Sequence, residues 1–257
     1  MRRPALTLTL ALLLTSAAHA QDVTFENDTY SVVLTKANGG LIQSLRAKPS
    51  GDELAAGMIV YTDYGVFDTR GQVSTGAASA DVFDVHRDAA GLKVHTEGRL
   101  LGTPADGKPP LRYRADFVFD QSPTIHVTAA IQPGEDKSQV GGFMAFAWPI
   151  PTMASYRVRT IEGLLRHLYR DGEEAAGRSY SHWPPLDPVR PLLSFTTKSG
   201  ATESITNLHW SGVPEFTGPA VHGRMLFLCF LDNDTRDLKA GQWSEITFDL
   251  QVSAAGR

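Results

Sequence analysis

The chain predicts an all-β protein, a large antiparallel β-sandwich of the supersandwich kind with at most one or two short helices. Three observations carry that expectation. Apolar and polar residues alternate with period two in run after run. Turn-forming residues fall between the runs, and no series of long helical segments alternates with them, which argues against an α/β sheet.

The runs can be taken in order. Tyr30, Val32 and Leu34 oppose Val33 and Thr35, and Leu92 and Val94 oppose Lys93, His95, Glu97 and Arg99. Leu111, Tyr113, Ala115, Phe117 and Phe119 oppose Arg112, Arg114, Asp116 and Asp120, which gives a strand with one buried and one polar face. Similar alternation covers Thr124 to Ile131, Leu192 to Lys198, Glu203 to His209 and Glu245 to Val252. The breaks Asn38-Gly39-Gly40, Ala90-Gly91, Gly102-Thr103-Pro104 and Ser199-Gly200 supply turn chemistry. Phe143 to Ile150 and Met225 to Leu231 are apolar on both faces and so predict central strands. From Thr160 to Asp171 the spacing of Ile161, Leu164, Leu165 and Leu168 fits a short helix as well as a strand, with Thr160 as N-cap and Gly172 as stop.

Residues 1–20 read as a secretory signal peptide: Arg2 and Arg3, an apolar run from Ala5 to Thr15, and the small-residue site Ala18-His19-Ala20. The run is shorter than the roughly 20 residues that span a bilayer, and no later segment is apolar enough to do so. The general secretory route is expected, with a periplasmic or secreted product that begins near Gln21. Residues 21–257 then form a single β-supersandwich domain, with no repeat or linker to divide it. The formal net charge is −4, and −6 once Arg2 and Arg3 are removed. Such a chain is a poor nucleic-acid binder. Its single cysteine, Cys229, excludes an internal disulfide or a Cys-based zinc module and reads as a small buried hydrophobe. Asn27-Asp28-Thr29 and Asn233-Asp234-Thr235 are glycosylation matches that matter only in a glycosylating host.

The mature start, Phe25-Glu26-Asn27-Asp28-Thr29-Tyr30-Ser31-Val32-Val33-Leu34 followed by Asn38-Gly39-Gly40-Leu41-Ile42-Gln43-Ser44-Leu45, resembles the first hairpin of galactose-mutarotase-like β-supersandwich domains. These occur in sugar epimerases, some glycosidases and many polysaccharide lyases. The likeness consists of an exposed Asn-x-x-Tyr opening, a buried strand, a Gly-Gly turn and a return strand ending in Ser-Leu. The later strand Leu111 to Asp120 followed by Ser122-Pro123-Thr124 is similar to the middle of such domains. The resemblance implies a saccharide lying across a broad polar sheet face. No His-plus-carboxylate pair aligns with a family motif, so it carries over no catalytic residue.

Saccharide sites combine aromatic faces with polar side chains that hydrogen-bond hydroxyls. Arg166-His167-Leu168-Tyr169-Arg170 and Arg178-Ser179-Tyr180-Ser181-His182-Trp183 form the densest such set; the alternative is that Tyr180 and Trp183 only pin a long loop. His209-Trp210, with Glu215 behind it and His222 further on, is a second set, equally explained by a rim tryptophan and a hydrogen-bonded histidine. His95, Glu97, Arg112, Arg114 and His126 form either the floor of a groove or the wetted back of a sheet. In a uronate lyase, Arg166, Arg170 or Arg178 would hold the substrate carboxylate and a histidine or Tyr169 would take the adjacent proton. In a mutarotase or epimerase, Glu215 would deprotonate the anomeric hydroxyl while His167 or His182 protonates the ring oxygen. A non-catalytic glycan- or protein-binding module is the alternative, with Tyr180, Trp183 and Trp210 as contact surface. No cofactor or metal is expected. The loop Asp232 to Asp237 lacks the glycine of a calcium loop at its sixth position, and Trp243 stands where the glutamate belongs. HExxH, GxSxG and phosphate-loop motifs are absent from the sequence.

Overall fold

A computed structural model describes residues 22–55, 57–64, 72–74, 79–99, 112–141, 144–149, 153–168, 187, 189–190, 192–211, 219–222, 225–228 and 236–254. Residues 1–20, Tyr169, Arg170, Arg178, Tyr180, His182, Trp183, Glu215, Cys229 and the acidic turn at 232–235 lie outside them.

Twenty strands are described. They are β1 Asp22–Glu26, β2 Tyr30–Thr35, β3 Leu41–Ala47, β4 Glu53–Ala55, β5 Met58–Tyr64, β6 Gln72–Ser74, β7 Val82–Asp88, β8 Gly91–Arg99, β9 Arg112–Asp120 and β10 Thr124–Gln132. The second half comprises β11 Lys137–Gly141, β12 Met144–Pro149, β13 Met153–Thr160, β14 Gly163–Leu168, β15 Leu192–Thr197, β16 Thr202–Ser211, β17 Pro219–His222, β18 Met225–Leu228, β19 Arg236–Leu238 and β20 Ser244–Ser253. Among the described residues the helical content is one 3-10 turn, Lys36–Asn38.

The strands form three antiparallel sheets. One has the order β1-β2-β3-β4; the second, of nine strands, runs β14-β13-β15-β16-β20-β10-β9-β8-β7; the third runs β17-β18-β12-β5-β11-β19, with β6 on β5. The two doubly apolar runs are interior strands there: β12 lies between β18 and β5, and β18 between β17 and β12. The core forms where the four-stranded sheet meets one face of the nine-stranded sheet, because each contributes its apolar parity: Val32, Leu34, Leu41 and Leu45 against Val94, Phe117, Phe119 and Phe248. Phe25 stacks on Phe119 at 5.8 Å between ring centroids.

The Gly-Gly turn is tied to the nine-stranded sheet by two buried hydroxyls, Thr96 Oγ1 at 2.8 Å and Tyr113 OH at 2.9 Å, both donating to the carbonyl of Gly39. Burial raises the Tyr113 phenol to about 12, so it remains a donor. Gly39 and Gly40 have φ of 74° and 69°, which a side chain rarely tolerates. The Asn-x-x-Tyr opening is not exposed, contrary to expectation. Asn27 is 6% and Tyr30 0% exposed.

The ambiguous stretch is a hairpin. β13 ends at Thr160, Ile161-Glu162 turn, and β14 begins at Gly163. Thr160 Oγ1 accepts from the Glu162 amide at 3.2 Å and donates to the Gly163 carbonyl at 3.1 Å, so the N-cap chemistry closes a β-turn. Of the apolar residues that imitated a helix face, Ile161 is 61% and Leu164 40% exposed.

Candidate functional site

The face of the nine-stranded sheet that points away from the core is polar, and cross-strand register aligns its side chains in rows. One row reads His95 opposite Asp116, Asp116 opposite Thr128, Thr128 opposite Thr247, and Thr247 opposite His209. It crosses five adjacent strands, roughly 19 Å at about 4.8 Å per strand step. The neighbouring row runs Glu97, Arg114, Ala130, Glu245 and Ser211. On the other side lie Lys93, Val118, His126, Asp249 and Thr206.

His209 reaches this face because β16 carries a bulge. Pairing jumps from Thr206 opposite Asp249 to His209 opposite Thr247, so two residues stand against one. Asn207 absorbs the extra residue at φ 51°. Strict alternation after Thr206 would point Leu208 outward and His209 inward. The bulge reverses that parity: Leu208 is 4% exposed and His209 is exposed.

Three polar clusters occupy the rows. Asp116 Oδ1 accepts from His95 Nδ1 at 2.7 Å, and Glu97 Oε1 lies 3.3 Å from Nε2. Both ring nitrogens donate only in the imidazolium. Partial burial opposes that charge, but the bond and charge of Asp116, joined by those of Glu97, outweigh it and raise His95 above its ordinary value. Arg112 Nη2 donates to the second oxygen of Glu97 at 3.3 Å. In the second cluster Asp249 joins two strands, accepting from His126 Nδ1 at 2.6 Å and from Asn207 Nδ2 at 2.7 Å. In the third, Arg114 reaches over Ala130 to Glu245 at 2.8 Å, with its guanidinium carbon 4.5 Å from the Trp243 ring centroid. Ala130 is the residue between Arg114 and Glu245 in that row, and its shortness leaves the path across β10 open.

Of the residues singled out from sequence, Arg166 and His209 share the outer face, three strands apart. Arg166 is exposed on β14 opposite Arg157. His167 takes the next register position, opposite Tyr156, and Trp210 stands opposite Ile246; their side chains lie outside the described residues. His95, Glu97 and Arg112 do converge, whereas Arg114 and His126 join separate clusters. Asp116, Asp249, Glu245, Trp243 and Asn207 were missed. Asn207 carried a usable signal, since asparagine tolerates the left-handed conformation of a bulge. Asp249 did not, because its partner His126 is 123 residues away. Among the described residues no three metal-ligating side chains gather as a cation site, and no helix is long and apolar enough to cross a membrane.

The architecture is the galactose-mutarotase-like β fold. The Slr1438 protein from Synechocystis sp. PCC 6803 superposes with a TM-score of 0.58 at 9% identity, over 99% of this chain and 100% of that one. The GalM/aldose epimerase homologue from C. elegans gives a TM-score of 0.54 at 9% identity over 92% and 100% of the two chains. Galactose 1-epimerase from Lactobacillus acidophilus NCFM gives 0.53 at 9% identity over 91% and 95%. At this identity the likeness is one of fold. No family model matches the chain, and no curated protein matches it in sequence.

Proposed function

We propose that this is an exported, periplasmic or secreted protein that takes a saccharide on the outer face of its nine-stranded sheet. The observation that carries the reading is the row from His95 to His209, a line of hydrogen-bonding side chains over five strands, with Trp243 against Arg114 of the neighbouring row. The hydroxyls of Thr128 and Thr247 and the imidazole of His209 suit sugar hydroxyls, and the half-buried Trp243 ring offers an apolar surface for sugar C-H groups. The named fold neighbours include a galactose 1-epimerase and an aldose epimerase homologue, and the signal-like residues 1–20 support export.

A catalytic version is favoured by one observation. Asp116 orients His95 and raises its proton affinity, which is how a carboxylate prepares an imidazole for acid-base work. Proton transfer at an anomeric centre, as in a mutarotase or epimerase, needs such a group. A lyase would need in addition a positive clamp and a base on one sugar unit, the roles outlined for Arg166, Arg170, Arg178 and Tyr169.

The test titrates the mature protein with a panel of neutral and acidic oligosaccharides by tryptophan fluorescence and calorimetry. Optical rotation and ultraviolet absorbance of unsaturated ends are followed in parallel. Binding weakened by Trp243→Ala and by His209→Ala is expected, whereas wild-type protein that binds nothing in the panel sinks the reading. Mutarotation lost in His95→Gln would establish the catalytic version.

A further inference from the structure

We infer that Arg157 and Arg166 form an anion clamp at the β14 edge of the nine-stranded sheet, which makes an acidic saccharide, one bearing carboxylate or sulfate, the preferred ligand. The inference rests on the saccharide reading above and narrows it to a charge class. The two arginines are register partners in the β13–β14 hairpin and both are exposed on the outer face. Directly opposed side chains on antiparallel strands have Cβ atoms about 4.5–5.5 Å apart, and like charges there repel. The fold gains nothing from such a pair.

The contrast with the other arginines is what singles it out. Among the described side chains Arg46, Arg99, Arg112, Arg114 and Arg190 each lie on a carboxylate, and Arg87 donates to the carbonyl of Thr24 at 2.6 Å. Arg159 has Asp187 beside it, whose amide donates to the Arg159 carbonyl at 3.0 Å. Arg157 and Arg166 have no carboxylate among the described residues. Among the described residues they are a positive pair without a carboxylate, on a chain whose formal net charge is −4.

Their position connects them to the polar face. The row they begin continues through Ser194 and Ser204, whose hydroxyls are hydrogen-bonded at 3.0 Å, to Gln251 and Thr124. Ser194 is buried, so a saccharide at this edge would meet the two guanidinium forks first and, beyond Ser194, the Ser204 hydroxyl and the exposed Gln251 amide. Planar forks match carboxylate and sulfate oxygens with paired N–H donors, which a lysine pair would not.

The experiment compares three probes against mature wild-type protein and Arg157→Gln/Arg166→Gln: oligogalacturonate, a sulfated galactan oligosaccharide and a neutral galacto-oligosaccharide of similar length. Both sites are exposed on an edge hairpin, so the variant keeps its fold, checked by circular dichroism; the single variants serve if it does not. At least one acidic probe is expected to bind wild type about tenfold more tightly than the neutral one at low salt, with the gap closing at high salt. The double variant should lose that gap and keep its neutral affinity. Which acidic probe prevails distinguishes carboxylate from sulfate. Equal binding of acidic and neutral probes by wild type, or a preference that survives in the variant, overturns the clamp while the saccharide reading stands. Absence of binding to all three overturns both.

Discussion

Asn27, in the turn between β1 and β2, holds the carbonyl of Ser122 at 2.8 Å, and through the same Nδ2 that of Asp120 at 3.0 Å. Its Oδ1 accepts from the amides of Thr29 and Tyr30, both at 2.9 Å. One buried amide therefore shapes the first hairpin and fastens it to the β9–β10 turn. Asn27→Ala should cost about 3 kcal/mol, since buried backbone groups on both sides lose their partner. Asn27→Asp should cost as much, because a carboxylate has no donor for the two carbonyls. Urea unfolding of both variants checks this, and a loss within error of zero would mean water replaces the amide.

Gly40 admits no side chain. A Cβ there would fall against Thr96 and within 2.7 Å of Phe83, at a φ of 69°. Gly40→Ala is expected to lower stability by about 1–3 kcal/mol and to disturb the Thr96 and Tyr113 bonds to Gly39. Thermal unfolding with near-ultraviolet circular dichroism reports both effects.

The bulge at Asn207 gives a prediction of opposite outcomes. Asn207→Gly fits the positive φ and loses only the exposed bond to Asp249. Asn207→Val should cost about 1–2 kcal/mol more, because a β-branched residue resists that conformation. Chemical shifts of His209 in the valine variant should move, since its outward position depends on the extra residue. Equal stability of the two variants would contradict the bulge.

The pH dependence has two limbs. His95 has a folded pKa above its ordinary 6.5, so its contribution is complete below about 6.5 and is lost as pH rises through the folded value. Asp116→Asn should move the His95 titration, read from its ring proton by nuclear magnetic resonance, to lower pH. Asp120 behaves oppositely: hydrogen bonds from the Ser122 hydroxyl and amide hold its carboxyl below 3.8. Its contribution is complete above about 3.8 and is lost as pH falls through the lower folded value. A His95 titration unchanged in Asp116→Asn would remove Asp116 as the cause.

Most of the nine-stranded sheet was legible because alternation over six to ten residues survives in the sequence: β8, β9, β10, β15, β16 and β20 all fall where the pattern lies, as does β2 of the four-stranded sheet. Strands of three to five residues such as β4, β6 and β19 carry too few alternations to read. The hairpin at Thr160 was ambiguous for a physical reason, since threonine uses the same hydroxyl-to-amide bond to start a helix and to close a turn. The site was less legible than the fold. Charged residues on the outer parity of each strand could be identified one strand at a time, but which of them meet depends on register between strands far apart in sequence. His95 and Asp116 are neighbours because β8 and β9 pair; His126 and Asp249 are neighbours because β20 inserts beside β10.

That insertion has a consequence for how the molecule is made. β7 to β10 form a meander, β13 to β16 form a second block in the order β14-β13-β15-β16, and β20 is the strand that lies between β10 and β16 and joins them. A ribosome delivers both halves before it delivers the joint. Until β20 arrives, β10 and β16 each present an open edge, the row from His95 to His209 is broken at its fourth member, and Asp249 is absent from beside His126. Among the described strands β20 is thus the one that completes the polar row and closes the sheet, both in the same step.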